Sequence, residues 1–276
     1  MKTPTNFFKQ ALLQKRPQIG LWLGTGEPYI AEILAGAGFD WLLIDGEHAP
    51  NDLHSILGQL QGIASSVGAF PVTPAVSNAV VRIPHGDTAL IKQCLDIGAQ
   101  TILIPMVNTP AQAAEMALAM RYPPVGIRGM GGSMARAARW SRYPNYLHEA
   151  NDEVCLLVQV ESVEAMANID AIAATPGVDG VFIGPADLAA SMGHPGNAGH
   201  PEVQAQIEYG MKRILAAGKA PGILSVTEAQ ARKWLDAGAV FVAVGVDISL
   251  LNAAAGTLLA KFKTAAASSQ VPGASY

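Results

Sequence analysis

The sequence predicts a single-domain (β/α)8 barrel, on three observations. Eight short apolar runs recur along 276 residues. They are rich in β-branched residues and continuous rather than alternating, the pattern of strands buried on both faces of a parallel sheet. A helical stretch follows nearly every run, and a chain of this length is ordinary for one such barrel.

Taken in order, the first run is "IGLWL" (19–23), followed by the helical pattern "PYIAEILAGAG". The second is "WLLID" (41–45). The third, "AVVRI" (79–83), leads into "DTALIKQCLDIGA". The fourth and fifth are "TILIPM" (101–106) and "VCLLVQVE" (154–161), and the sixth is "GVFIG" (180–184). The seventh, "PGILS" (221–225), precedes "TEAQARKWLDAGA", and "FVAVG" (241–245) is the eighth. Several helical patterns stop at glycine, a usual C-terminal signal. The competing architecture, an open doubly wound sheet, lacks the GxGxxG expected after its first strand. Two connections are long enough to shape a site or a subunit contact: the Arg- and Gly-rich 121–153, and 190–200, "ASMGHPGNAGH". The barrel domain is placed at 1–264, and 265–276, "AAASSQVPGASY", reads as a disordered tail.

Half of the residues are hydrophobic, enough for a large core, and only 14% are charged. That low charge fits either an Ala- and Gly-rich composition or a surface hidden in a homo-oligomer. Net charge is −4 with scattered Lys and Arg, which excludes the basic stripe of a nucleic-acid binder. Cys94 and Cys155 form no CxxC, so neither a disulfide framework nor a zinc knuckle is expected. The first residues lack a signal-peptide pattern, and no apolar run reaches membrane-spanning length. A cytoplasmic protein without membrane contact is expected.

In this fold the active site lies at the C-terminal ends of the strands. Collected there are Asp45, Glu47 and His48 after the second strand, Arg82 in the third with Asp87 beyond it, Gln159 and Glu161 at the fifth, Asp187 after the sixth and Asp247 after the eighth. Glu161 and Asp187 come from neighbouring strand ends. Two close carboxylates repel unless a cation lies between them, and all-oxygen ligands suit Mg²⁺ or Mn²⁺. The competing explanation is that each acid caps the helix that follows. A glycosidase acid pair is disfavoured by the few Trp and Tyr available as a sugar platform. His48 is a candidate general base or an exposed loop residue. Arg82, the only charge in its strand, needs an anion: a substrate carboxylate or a structural partner such as Asp45. No lysine falls at a strand's C-terminal end, so a Schiff-base nucleophile is missing. No phosphate-binding Gly loop follows the seventh strand, which points to an unphosphorylated carboxylate substrate.

The stretches "DWLLIDGEHAP", "GIRGMGG", "ARAARW", "VQVES", "GVDGVFIGPADLAASMG", "GKAPGIL" and "FVAVGVD" resemble the metal-dependent (class II) pyruvate aldolases of the 4-hydroxy-2-oxoheptane-1,7-dioate and 2-dehydro-3-deoxyglucarate aldolase family. The similarity spans about residues 5 to 263. It implies reversible cleavage of a 4-hydroxy-2-oxo acid to pyruvate and an aldehyde through a metal-stabilised pyruvate enolate. Position by position, it implies Glu161 and Asp187 as metal ligands for Mg²⁺, Mn²⁺ or Co²⁺, and His48 as catalytic base with Asp96 as its dyad partner. It further implies Arg82 and Gln159 at the pyruvyl group, and a backbone cradle for the pyruvate carboxylate at Gly184, Pro185 and Ala186. The loop containing "GIRGMGG" would reach toward a neighbour's site in a hexamer built from dimers. Alternatives are a citramalyl- or malyl-CoA lyase, disfavoured by the lack of a Lys-rich loop for the coenzyme diphosphate, and a catalytically silent barrel.

Overall fold

The computed structural model describes residues 2–66 and 77–263. Eight parallel strands close into a barrel in sequence order. They are β1 (Gln18–Leu23), β2 (Trp41–Asp45), β3 (Asn78–Arg82), β4 (Thr101–Ile104), β5 (Cys155–Val160), β6 (Gly180–Ile183), β7 (Ala220–Leu224) and β8 (Phe241–Val246). The (β/α)8 reading is therefore borne out, each strand lying within two residues of its predicted run. The proposed tail at 265–276 lies outside the described residues.

α1 (Phe7–Leu13) precedes the first strand. Around the barrel follow α2 (Pro28–Ala35), α3 (Leu53–Ser65), α4 (Thr88–Asp96), α5 (Pro110–Ala119), α6 (Tyr146–Glu153), α7 (Val163–Ala167), α8 (Ile169–Ala174), α9 (Pro185–Ser191), α10 (Pro201–Ala216), α11 (Glu228–Asp236) and α12 (Asp247–Ala260). Polar residues set many of their starts. Asp52, Asp87, Thr109, Ser162 and Thr227 each accept a first-turn N–H with the side chain, satisfying donors a helix start leaves orphaned.

The apolar residues divide into two layers. Outward-facing strand residues pack under the helices, among them Leu42, Ile44, Val81, Ile102, Val158 and Ile183. Inward-facing residues fill the barrel with Trp22, Trp41, Phe182 and Phe241, joined by Phe8 from α1 at the end where the strands begin. These rings meet at centroid distances of 5.5–6.4 Å. Glycines in the strands make the room: a Cβ at Gly20 would stand 2.1 Å from the Trp41 ring, and one at Gly222 would stand 2.2 Å from Phe241. The lower barrel is thus a plug, and the polar residues collect at the other mouth.

α12 departs from the expected arrangement. Only Asp247 of this helix is buried. Ile248, Leu250, Leu251, Leu258 and Leu259 are all about half exposed or more, and Phe262 beyond it is 82% exposed. From 248 to 260 the helix carries no charged residue. Among the described residues, no helix is long and apolar enough to cross a membrane.

Candidate active site

Strand register assembles the site. Asp45 and Arg82 are direct partners across β2 and β3. Val160 pairs with Ile183, so the next residues, Glu161 and Gly184, stand side by side where β5 and β6 end.

Arg82 is buried and held by two acids. Its Nε and Nη2 donate to Asp45 Oδ1 and Oδ2 at 2.9 and 2.6 Å, and Nη1 lies 2.9 Å from Glu47 Oε2. Its guanidinium carbon also lies 4.9 Å from the centre of the Trp22 ring. The salt bridge to Asp45, one of the two roles open to this arginine, is present. Burial raises the Asp45 carboxyl, but the Arg82 hydrogen bonds and charge, with the Glu47 N–H and the Trp22 indole, outweigh it and hold Asp45 below its ordinary value.

Glu161 is 2% exposed. Its Oε1 accepts the Met106 N–H at 2.9 Å, and its Oε2 accepts the Gln159 amide. Met106 reaches this position in the left-handed region, with φ 54°, a conformation that costs a non-glycine residue about 1 kcal/mol or more. Neither acid serves as a helix cap. Ser162 caps α7, while α9 begins at Gly184 with no side-chain cap and carries Asp187 in its first turn. No Lys or Arg pairs with Glu161 or Asp187 among the described residues. Burial raises the Glu161 carboxyl, and the charges of Asp187 and Glu47 raise it further against the pull of its two hydrogen bonds. Glu47 is likewise raised, first by burial and then by Asp45 and Asp187, with Arg82 and His48 opposing. Four carboxylates, Asp45, Glu47, Glu161 and Asp187, therefore share one mouth with one guanidinium.

Two further observations concern the space around Glu161. Gln159 Oε1 is buried without a hydrogen-bond partner. At Gly184 a Cβ would lie 2.2 Å from Glu161 Oε2 and 3.2 Å from Gln159 Nε2, so the absent side chain makes the space the carboxylate occupies. The backbone cradle is narrower than expected. Gly184 N–H is spent on Val160 O at 3.1 Å and Pro185 has none, leaving the Ala186 amide. This donor set, oxygen-rich, short of positive charge and made of a buried Glu161 and an exposed Asp187, fits a hard divalent ion between the two.

His48 stands at the rim, its side chain 68% exposed, with Nε2 3.8 Å from Glu47 Oε2. Asp96 is not beside it. α4 starts at the mouth and runs away from it for nine residues, about 13 Å, so Asp96 lies toward the plugged end. There it accepts from the buried Arg128 at 2.7 Å and borders a surface groove with Leu57, Gln61, Met134 and Trp140. Asp87 caps α4, and Asp247 accepts the N–H groups of Gly24, Thr25 and Ile248, tying β1 to β8. Lys219 donates to Val178 O just before β7 begins, away from the mouth. Glu47 is legible in the sequence as a strand-end acid without an assigned role, whereas Met106 is not legible there, because its contribution is a backbone N–H that no residue type advertises.

Comparison with known proteins agrees with this geometry. The HpcH/HpaI aldolase/citrate lyase family matches residues 18–254. A hydroxypyruvate/pyruvate aldolase of Deinococcus radiodurans is 61% identical over 94% of this chain and 90% of its own length. A 4-hydroxy-2-oxo-heptane-1,7-dioate aldolase of Salmonella heidelberg is 58% identical over 93% and 94%. The crystal structure of an HpcH/HpaI aldolase/citrate lyase family protein from Burkholderia cenocepacia superposes with a TM-score of 0.88 at 42% identity, covering 93% of this chain and 99% of that one. An eight-stranded barrel whose mouth holds Glu161, Asp187 and Arg82, together with a family match over most of its length, places this chain in the HpcH/HpaI aldolase/citrate lyase family.

Proposed function

We propose that this chain is a class II pyruvate aldolase, a carbon–carbon lyase that reversibly cleaves a 4-hydroxy-2-oxo acid such as 4-hydroxy-2-oxoheptane-1,7-dioate to pyruvate and an aldehyde. The observation that carries this is the pair Glu161 and Asp187, unneutralised by any basic side chain among the described residues and set at the barrel mouth that also holds the buried Arg82. The names of the relatives support it, and one of them adds hydroxypyruvate as a second possible nucleophile.

Glu161 and Asp187 would hold a divalent ion, Mg²⁺, Mn²⁺ or Co²⁺. When bound, that ion supplies a Lewis acid for the keto oxygen, worth several kcal/mol of charge stabilisation. Two N–H groups of Arg82 donate to Asp45 and Nη1 faces Glu47 as an ion pair, which leaves Nη N–H groups for the substrate's pyruvyl oxygens. Because those two acids clamp the guanidinium, its positive charge is fixed before substrate arrives and no reorganisation is needed as negative charge develops. The Ala186 N–H would receive the carboxylate, and Gln159, already donating to Glu161, would offer the substrate its unpartnered carbonyl oxygen. His48, exposed at the rim, removes the 4-hydroxyl proton in cleavage and returns it in condensation.

Asp96 joins His48 only across a subunit boundary, since within one chain His48 follows β2 at the barrel mouth and Asp96 ends α4, which runs away from it. A homo-oligomer, with a hexamer as the expected form, supplies that boundary. The bare apolar face of α12 supports this, because a helix of 14 residues with no charge after Asp247 is marginal in water without a partner surface. The cell location proposed is the cytoplasm.

The test is pyruvate release from 4-hydroxy-2-oxoheptane-1,7-dioate, coupled to lactate dehydrogenase. Turnover is expected to vanish after EDTA and return with Mg²⁺, Mn²⁺ or Co²⁺. Full turnover in EDTA, or none on a panel of 4-hydroxy-2-oxo acids with any of these ions, would overturn the reading.

A further inference from the structure

The 190–200 connection is not used by the two-carboxylate site. It lies between α9 and α10, following directly on the helix that carries Asp187. Its backbone is held in a defined loop. Gly193 and Gly196 take φ of 85° and 73°, which side-chain-bearing residues rarely adopt. His194 N–H donates to Ala189 O at 2.8 Å, Asn197 N–H to His194 O at 3.0 Å, and His200 N–H to Asn197 O at 3.0 Å. The loop thereby brings two histidines six positions apart together, with ring centroids 3.6 Å apart and planes 15° from parallel. Glu202, in the first turn of α10, sets its Oε2 3.1 Å from His194 Nε2. One ligand atom from each of the three residues lies within 4.8 Å of the other two.

The geometry points to a second metal site, formed by His194, His200 and Glu202, for a borderline divalent ion such as Zn²⁺, Ni²⁺ or Co²⁺. Two imidazole nitrogens and a carboxylate are a donor set these ions prefer, whereas the all-oxygen pair Glu161 and Asp187 suits harder ions. Donors at about 2.0–2.1 Å from a shared tetrahedral ion stand roughly 3.3 Å apart, close to the observed Nε2 to Oε2 spacing. Three protein ligands leave a fourth position to water. Ligation would turn each of the stacked rings about its Cβ–Cγ bond so that the lone pairs converge. Both rings are half-buried, and the tie most exposed to loss is the long 3.3 Å acceptance of Glu202 N–H by His200 Nδ1. An ion held here fastens the start of α10 to the segment leaving α9. The proposal is independent of the aldolase reading.

The test uses the full-length Glu161→Gln/Asp187→Asn variant, which removes the all-oxygen pair with little change of shape. Co²⁺ and Zn²⁺ are titrated, with ion content and the Co²⁺ visible spectrum as readouts. One ion per chain with nitrogen ligation is expected. Further His194→Gln or Glu202→Gln substitution should weaken Zn²⁺ binding by at least the roughly 10–100-fold that even outer-shell partners are worth. His200→Asn separates ligation from capping, since Asn is a preferred N-cap residue: affinity should fall while Tm holds. Should the double variant fail to fold, the native chain saturated with Mg²⁺ must take up Zn²⁺ as an additional ion. No Co²⁺ or Zn²⁺ uptake, or uptake undiminished by His194→Gln and His200→Asn, would overturn the site.

Discussion

The sharpest prediction concerns Gly184→Ala. The backbone there has φ −89°, open to any residue, so alanine introduces no backbone strain and the effect is steric. The added methyl would stand 2.2 Å from Glu161 Oε2 and 2.9 Å from Glu161 Cβ, whereas ordinary contact begins at 3.4 Å. The Glu161 carboxylate must withdraw by roughly 1 Å, a misplacement that costs on the order of 100-fold in rate at a reacting centre. It can withdraw only by loosening its bonds to Met106 N–H and Gln159. Overpacking of this kind lowers stability by about 1–3 kcal/mol. The assay is kcat in the coupled pyruvate reaction, read beside bound-ion content and the urea unfolding midpoint. A variant that unfolds at a slightly lower midpoint, retains little ion and turns over about a hundredfold more slowly is expected. Unchanged kcat with full ion content would refute the idea that Glu161 is positioned against Gly184 to hold a cation.

Three further outcomes follow from the same geometry. Glu161→Gln should abolish ion retention and activity yet stabilise the metal-free fold. The folded Glu161 carboxyl lies above its ordinary 4.5, so without an ion the native protein loses stability as pH rises from 4.5 toward the folded value, and that slope should disappear in the variant. Arg82→Lys should lower kcat/KM for the 2-oxo acid and lower Tm, because one ammonium cannot reproduce the fork on Asp45 and reach Glu47, and disrupting a buried pair costs about 3–5 kcal/mol. An unchanged KM for pyruvate in condensation would count against its role in substrate binding. Leu251→Glu combined with Leu258→Glu on α12 should reduce the sedimentation coefficient to that of a smaller species with the far-ultraviolet circular dichroism retained; an unchanged coefficient would mean α12 is not the contact.

The barrel was legible because buried parallel strands must be continuous and apolar, a pattern that "WLLID" and "GVFIG" carry without ambiguity. The fourth strand stops at Ile104 rather than running on to Met106, since Pro105 cannot donate to the ladder and Met106 turns into the left-handed region. The acids at the strand ends were legible for the same reason: a carboxylate closing an apolar run has nowhere to go but the mouth. The rest depends on through-space relations that local pattern does not encode. Arg82 could have met a substrate or Asp45, and only the β2–β3 register decides that Asp45 is opposite. Asp96 reads as a surface acid on a helix, and its distance from His48 follows from the direction in which α4 runs. α1 went unread although its Phe8 fills the barrel, and nothing in "DISLLNAAAGTLLA" says that the helix stands clear of it.

The aromatic packing around Phe8 has a kinetic corollary. With Phe8, Trp41 and Phe241 fully inaccessible at the strand-start end, the packing of the described residues blocks passage there and leaves the mouth beside Glu161 and Asp187 as the way in and out. Whichever fragment rests deeper must leave last and enter first. For a pyruvyl group seated on Arg82, that means an ordered sequence: the aldehyde departs before pyruvate in cleavage, and pyruvate is the obligatory first arrival in synthesis.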